Sequence, residues 1–316
     1  MGADPAAWRR RSGRRWRRSL ASAARRTRRL DPPLRGLLWA VLAGVLFAFL
    51  NATMRALTRQ LDPFQVQFLR YAMGFAVWLP LMLRSGFAAW RPRHVGGQFA
   101  RGIVHTLGLS LWFYAVPHIP LADTTAIGFT VPLFVMLGAA WLLGEPMRWE
   151  RWLASAIGFF GVLIVLAPQL GGSAGHHALV MLASSPVFAA SYLITKQLTR
   201  HERSEVIVAW QSITVALFSL PLALPGWQWP DAAQWLALAA CGLLGSSGHY
   251  CLARSFAATD ISATQSVKFL DLVWAALLGW LVFADLPSES TLLGGLVICA
   301  ATFWIARREA QGAIKR

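Results

Sequence analysis

Residues 34–54 read LRGLLWAVLAGVLFAFLNATM, with Arg35 as their only charge. At 1.5 Å rise per residue, about 20 mostly apolar residues cross the hydrocarbon core of a bilayer as one helix. The run is too long for the apolar core of a secretory signal, and no small-residue cleavage site follows it. It therefore reads as a first membrane span that stays in the protein. Outward from it, nine more stretches qualify, near 64–83, 97–116, 122–143, 149–168, 178–198, 206–224, 234–254, 262–284 and 290–306. The connections are short and rich in Pro, Gly and Asp, as in Leu61-Asp62-Pro63, Gly144-Glu145-Pro146 and Pro225-Gly226-Trp227. Trp90, Trp149, Trp152, Trp227, Trp229 and Trp235 fall at these edges, where amphipathic indoles settle at membrane–water interfaces.

Composition agrees. The chain of 316 residues is 56% hydrophobic and only 14% charged, against about 25% charged in a soluble domain. A net charge of +16 in a soluble protein would point to a polyanion such as nucleic acid. Here the charge sits at the ends of apolar runs, with twelve arginines in the first 35 residues, and no nucleic-acid motif accompanies it. The three cysteines, Cys241, Cys251 and Cys299, lie inside apolar runs without metal-ligand spacing. Neither a disulfide framework nor a metal or cofactor is expected.

Alternate connections differ in basic content. One set carries Arg84, Arg91, Arg93, Arg101, Arg148, Arg151, Lys196, Arg200, Arg203, Arg254 and the C-terminal basic residues; the other carries only Arg55 and Arg59. The positive-inside rule then places both termini in the cytoplasm of a plasma (inner) membrane protein. The basic head, poor in aliphatic residues other than Ala, is expected to be disordered and to attract anionic lipid.

Shifting the chain by 140 residues aligns Gly108 with Gly248, Thr124 with Thr264, Phe129 with Phe269, Leu137 with Leu277, and the acid Glu145 with the acid Asp285. A shift of 141 aligns Leu57-Thr58-Arg59 with Leu198-Thr199-Arg200. A duplicated unit with an odd number of spans must insert its second copy upside down. The expected fold is all-α, integral to the membrane, with about ten transmembrane helices in two inverted five-helix repeats. The expected organisation is a cytoplasmic tail at 1–33, repeats at 34–168 and 178–307, and a C-terminal tail at 308–316. Such inverted repeats are the architecture of many secondary transporters, whose substrate path lies between the halves near the midplane.

At these residues the chain resembles the drug/metabolite transporter superfamily and, within it, the EamA-type transporters. The likeness rests on Arg70, on Ile119-Pro120-Leu121-Ala122-Asp123, on Pro132-Leu133 and on Leu143-Gly144-Glu145 in the first copy. In the second copy it rests on Arg254-Ser255-Phe256-Ala257, Gly279-Trp280-Leu281-Val282-Phe283-Ala284-Asp285 and Gly294. The resemblance implies a transporter of small organic solutes such as amino acids, related zwitterions, vitamins or drugs. Leu272 stands where Pro132 stands, so a bend is expected in the fourth span and not in the ninth.

Ionisable side chains inside a membrane cost about 2.5–3.5 kcal/mol each at a helix centre on insertion scales, and so mark candidate sites. Lys268 and Asp271 lie one turn apart in the ninth span and can face one cavity. They read either as a substrate or proton site, with Asp271 protonatable, or as a self-neutralising packing pair. His249-Tyr250 and His105 occupy nearby positions in the two copies, and Arg70 lies in the second span. Each is a candidate substrate contact, with helix-to-helix hydrogen bonding as the plain alternative for the histidines and snorkelling for Arg70. Asn51, Tyr114 and Tyr192 are weaker candidates for the path. The expected partners are a small-molecule substrate, the lipid bilayer and protons or another coupling ion; oligomeric state leaves no signal here.

The alternative class is an intramembrane hydrolase. Gly245-Ser246-Ser247-Gly248 reads GxSG, resembling the serine motif of rhomboid proteases, with Ser247 as nucleophile. That chemistry takes a histidine base from a later helix, and no histidine follows His249. With no phosphate-binding GxxxxGK[S/T] loop either, the reading is a gradient-driven carrier and not an enzyme.

Overall fold

The computed structural model describes residues 31–115, 127–146, 148–166, 175–274, 277 and 289–314. The basic head, the 119–123 run with Asp123, and the 279–285 stretch with Asp285 lie outside the described residues.

Among the described residues, ten α-helices have both ends placed, in chain order: α1 (Pro32–Leu57), α2 (Pro63–Ser85), α3 (Val95–Ala115), α4 (Val131–Leu143), α5 (Trp149–Leu166), α6 (Gly175–Leu198), α7 (Ser204–Ala223), α8 (Ala232–Ala258), α9 (Ile261–Lys268) and α10 (Glu289–Ile314). A short 3₁₀ turn, Phe87–Trp90, lies between α2 and α3. Local sequence accounts for several starts and stops. Asp62 accepts from the backbone N–H of Phe64 and Gln65, and Pro63 opens α2 with a ring already set for helix. Asp231 and Gln234 form a reciprocal capping box on α8. α4 stops where Gly144 turns left-handed at φ 65°.

The chain is inside-out relative to a soluble protein. Leu38, Leu42, Ile103, Trp141, Leu179, Leu236, Leu296 and Phe303 are exposed, while Gln65, Gln67, Arg70, Gln98, Arg101, His105, Gln211 and His249 are buried. α1, α2, α6, α7 and α8 are each long and apolar enough to cross a bilayer unaided.

Packing follows a pseudo-two-fold exchange between the repeats. α1 packs on α8 as α3 packs on α6; α2 pairs with α7 and α5 with α10; α4 lies on α6 as α9 lies on α1. The N-terminal end of α3 meets the C-terminal end of α6, where His94 and His201 contact edge-to-face and Glu202 accepts from the backbone N–H of Arg93 and His94. α6 therefore ends where α1 and α3 begin, which is the inverted relation expected of two five-span units. Glycines set how near the helices come. A Cβ on Gly102 would lie 2.3 Å from Thr214 Oγ1, between α3 and α7.

The fourth span does turn, at Phe129–Thr130, with Pro132 directly after the turn in the first turn of α4, where a missing N–H costs nothing. The ninth span does break, although Leu272 replaces proline. α9 ends at Lys268, turns at Phe269, and resumes over 270–274. The breaks are pseudo-equivalent, and the two residues at them, Phe129 and Phe269, stack at 5.7 Å across the repeat boundary. Trp90 also departs from the interfacial reading: it is buried, and its indole N–H donates to Ser85 Oγ at 2.7 Å.

Candidate functional site

His105 stands at the centre of α3, and α2, α6, α7 and α8 bring polar side chains to it from both repeats. Its Nε2 lies 2.9 Å from Tyr71 Oη and its Nδ1 lies 3.1 Å from Ser191 Oγ. The His105 and His249 rings meet edge-to-face at 5.5 Å, with Phe47 and Phe188 closing the sides. Arg70 reaches His249, Nη2 to Nε2 at 3.4 Å, with its guanidinium 4.6 Å over the Tyr71 ring. Arg101 donates to Ile207 O at 3.1 Å and to Gln211 Oε1 at 2.7 Å. Gln211 Nε2 in turn lies 3.5 Å from His249 Nε2.

Three of the six candidate residues, Arg70, His105 and His249, thus converge. Arg70 is 6% exposed and does not snorkel to an edge. Tyr71, Arg101, Ser191 and Gln211 complete the group and were not singled out in the sequence. Arg101 counted there among the interfacial charges, yet it is 1% exposed. A charge a third of the way into an apolar run was the available signal.

Tyr250 does not join this group. It lies with Trp39 and Trp78, its hydroxyl 3.4 Å from Glu205 Oε1, and Arg254 over its ring. One residue turns a helix by about 100°, which separates it from His249. Asn51 and Tyr114 are both exposed. Tyr192 packs on Phe256.

Lys268 and Asp271 do meet. Nζ and Oδ2 are 3.4 Å apart, and the ammonium lies 5.2 Å over the Phe47 ring, whose edge abuts His249. The pair is thus joined to the histidine group through Phe47. α1 allows this approach because it has glycine at position 44: a Cβ there would stand 2.2 Å from Asp271 Oδ1.

At the end of the bundle holding Pro32, charges tie the repeats together. Glu145 accepts from the backbone N–H of Ile261 (2.8 Å) and Ser262 (3.0 Å) and from Ser262 Oγ (2.6 Å), capping α9 of the other repeat. Arg151 pairs with Asp260 at 2.9 Å across the repeats, and within the second repeat Lys196 donates to Phe256 O and Thr259 O, both at 2.7 Å. Removing Glu145 leaves the first N–H groups of α9 without this acceptor. Glu145→Ala is expected to cost about 1–2 kcal/mol of stability. It should also raise thiol labelling of a cysteine placed at Thr259, in an otherwise cysteine-free background, and unchanged labelling would show that this contact does not hold the end shut.

Ser247 has no histidine against it among the described residues. His249 lies two residues along the same helix, about 200° around it, with Nε2 facing Arg70 and Gln211. The hydrolase alternative gains no support.

Comparison with known proteins agrees with this architecture. The sequence profile of the EamA-like transporter family matches twice, over residues 34–167 and 177–307. A riboflavin transporter of Rhizobium johnstonii is 35% identical over 277 residues, covering 87% of this chain and 91% of that protein. An S-adenosylmethionine uptake transporter of Rickettsia prowazekii is 28% identical, with coverages of 87% and 94%. A pseudopaline exporter of Pseudomonas aeruginosa is 30% identical, with coverages of 88% and 98%. A solved crystal structure superposes with a TM-score of 0.76 at 21% identity, over 87% of this chain and 97% of that one, and shares the fold.

Proposed function

Because the chain belongs to the EamA-like transporter family, an integral membrane family of small-molecule transporters, we propose that it is a secondary carrier working by alternating access around the Arg70–His105–His249 group. One observation carries this reading: a buried polar group assembled from both inverted repeats, in a bundle whose outer surface is apolar. The pocket beside Arg70 has room for only about one water molecule, so an organic solute enters only when the helices separate. The bonds from Glu145 and Arg151 close one end of the bundle. Gln65 with the backbone of Gln228, and Gln60 with Gln234, hold the other. Rocking of the repeats breaks one set at a time.

The protein sits in the inner membrane with both termini cytoplasmic, on the strength of its basic loops, and its basic head lies against anionic lipid. Its substrate is a small metabolite, and riboflavin, S-adenosylmethionine and amino acids, which include solutes named for its relatives, are the first to try. Lys268 and Asp271 are the site through which protons or another ion couple to transport. Tyr250 acts at the edge of the path and not in contact with the bound solute.

Uptake and efflux of labelled forms of these solutes in proteoliposomes, with and without a pH gradient, tests the reading. Wild type is expected to accumulate one of them under the gradient, and Asp271→Asn to lose accumulation by about tenfold or more while still exchanging solute. Equal accumulation by both proteins would make the pair structural, and no flux under any gradient would remove the carrier reading.

A further inference from the structure

The buried group between the repeats is unbalanced in charge and in hydrogen bonding, always in one direction. Arg70 and Arg101 each carry a permanent positive charge, and neither forms an ion pair with a carboxylate among the described residues. His249 Nε2 faces two donors, Arg70 Nη2 and Gln211 Nε2, since Gln211 Oε1 is already taken by Arg101. It therefore acts as the acceptor, and the ring proton sits on Nδ1. The buried polar atoms of this group that lack a partner are Arg70 Nε, Arg101 Nε and His249 Nδ1, and all three are N–H donors. A buried polar group without a partner is rare and costly, and two buried cations without a counter-charge are more so. What completes the group is an acceptor with negative charge.

The geometry offers a place for it. Arg70 and His249 line a pocket with Ser212, Ser246, Gly242 and Gly245. Gly245 keeps it open at the guanidinium, because a Cβ there would stand 3.2 Å from Arg70 Nε. The two serine hydroxyls already donate within the bundle, Ser212 to Val208 O and Ser246 to Gly74 O, so each offers its oxygen lone pairs and no spare proton. Selectivity for an anion therefore comes from the idle N–H groups.

We propose that this pocket is an anion site, and that Arg70 Nε–H and His249 Nδ1–H bind an anionic group there against the combined charge of Arg70 and Arg101. Resting on the carrier reading, this assigns the protein either a solute bearing a carboxylate or phosphate, or a small inorganic anion that travels with the solute. Arg70 is the binding residue, and Arg101 acts through Gln211 by holding His249 in the tautomer that donates.

The test uses the full chain in detergent, titrated with sodium acetate and with sodium chloride while its melting is followed by tryptophan fluorescence. Gly96→Ala serves as a reference for general salt effects, since no atom outside its own helix lies within 4 Å of a Cβ at that position. Wild type and the reference are expected to show a saturable rise in melting temperature with at least one anion. In Arg70→Gln the apparent Kd should weaken by about tenfold or more. Gly245→Ala, which leaves every charge in place but fills the pocket mouth, should show the same loss and decides the matter if Arg70→Gln does not fold. Equal salt responses in wild type and a folded variant would overturn the proposal.

Proteoliposomes separate the two sources. Chloride that competes with flux of an anionic solute marks a site for the solute's own anion, and chloride required for flux of a neutral solute marks a co-transported ion. Flux of a neutral or cationic solute with no anion dependence would overturn the anion site and leave the carrier intact. Saturable anion binding without flux of any solute would uphold the site and remove the carrier.

Discussion

Replacing Gly242 with alanine is expected to lower the stability of the protein by about 3 kcal/mol or more. At this position α8 lies directly on α2. An added Cβ would come 2.6 Å from Met73 Cβ, 2.7 Å from Met73 C and 2.8 Å from Gly74 N. These atoms belong to backbone or to its first side-chain carbon, so no rotamer change relieves the clash and the two helices must move apart. Membrane helices have no water-driven force pressing them together, and close approach at small residues is a principal source of their cohesion. Separation of α2 from α8 would also pull Arg70 from His249, so transport should fall with stability. Comparison with Gly96→Ala by thermal melting and size-exclusion yield in detergent checks this. A Gly242→Ala protein as stable as that reference would mean that the α2–α8 contact is slack.

The second large effect is an asymmetry at Lys268 and Asp271. Asp271→Ala alone is expected to cost about 3 kcal/mol, because the ammonium 3.4 Å away then remains within the bundle without its counter-charge. Lys268→Met combined with Asp271→Ala should recover most of that loss. Removing both charges removes the desolvation penalty along with the attraction, and methionine brings a thioether toward the Phe47 ring where the ammonium stood. The same cycle separates structure from function. A double variant as stable as wild type but unable to accumulate solute would assign the pair to coupling. A double variant that is stable and fully active would leave it a packing device, and a single variant no worse than the double would mean that Lys268 has water or another partner. Gly44→Ala should reproduce part of the single-variant effect, since its methyl would occupy the space of Asp271 Oδ1.

The membrane class, the span count and the inversion of the repeats follow from sequence because they rest on local quantities. Apolar length sets the spans, and an odd number per copy sets the inversion whatever the packing. The meeting of Lys268 with Asp271 was legible from their three-residue separation, and it persists although the chain turns between them at Phe269. Glu145 and Asp62 could likewise be placed at helix ends, although not the helix that Glu145 caps.

The tertiary structure alone decided the rest. Arg70 meets His249 across 179 residues and Arg101 meets Gln211 across 110, through the exchange of helices between the repeats. Hydropathy is blind to such pairings. In a bilayer the lipid-facing and protein-facing sides of a helix are similarly apolar, so an apolar run does not reveal which side faces a neighbour. For that reason Arg101 read as an interfacial charge and Tyr250 as a companion of His249. The break at Phe269 had no sequence mark because no proline imposes it; it lies where two pseudo-equivalent phenylalanines stack between the repeats. Helix length and charge are properties of one segment. The polar group at the centre depends on which faces of five helices meet, and only packing sets that.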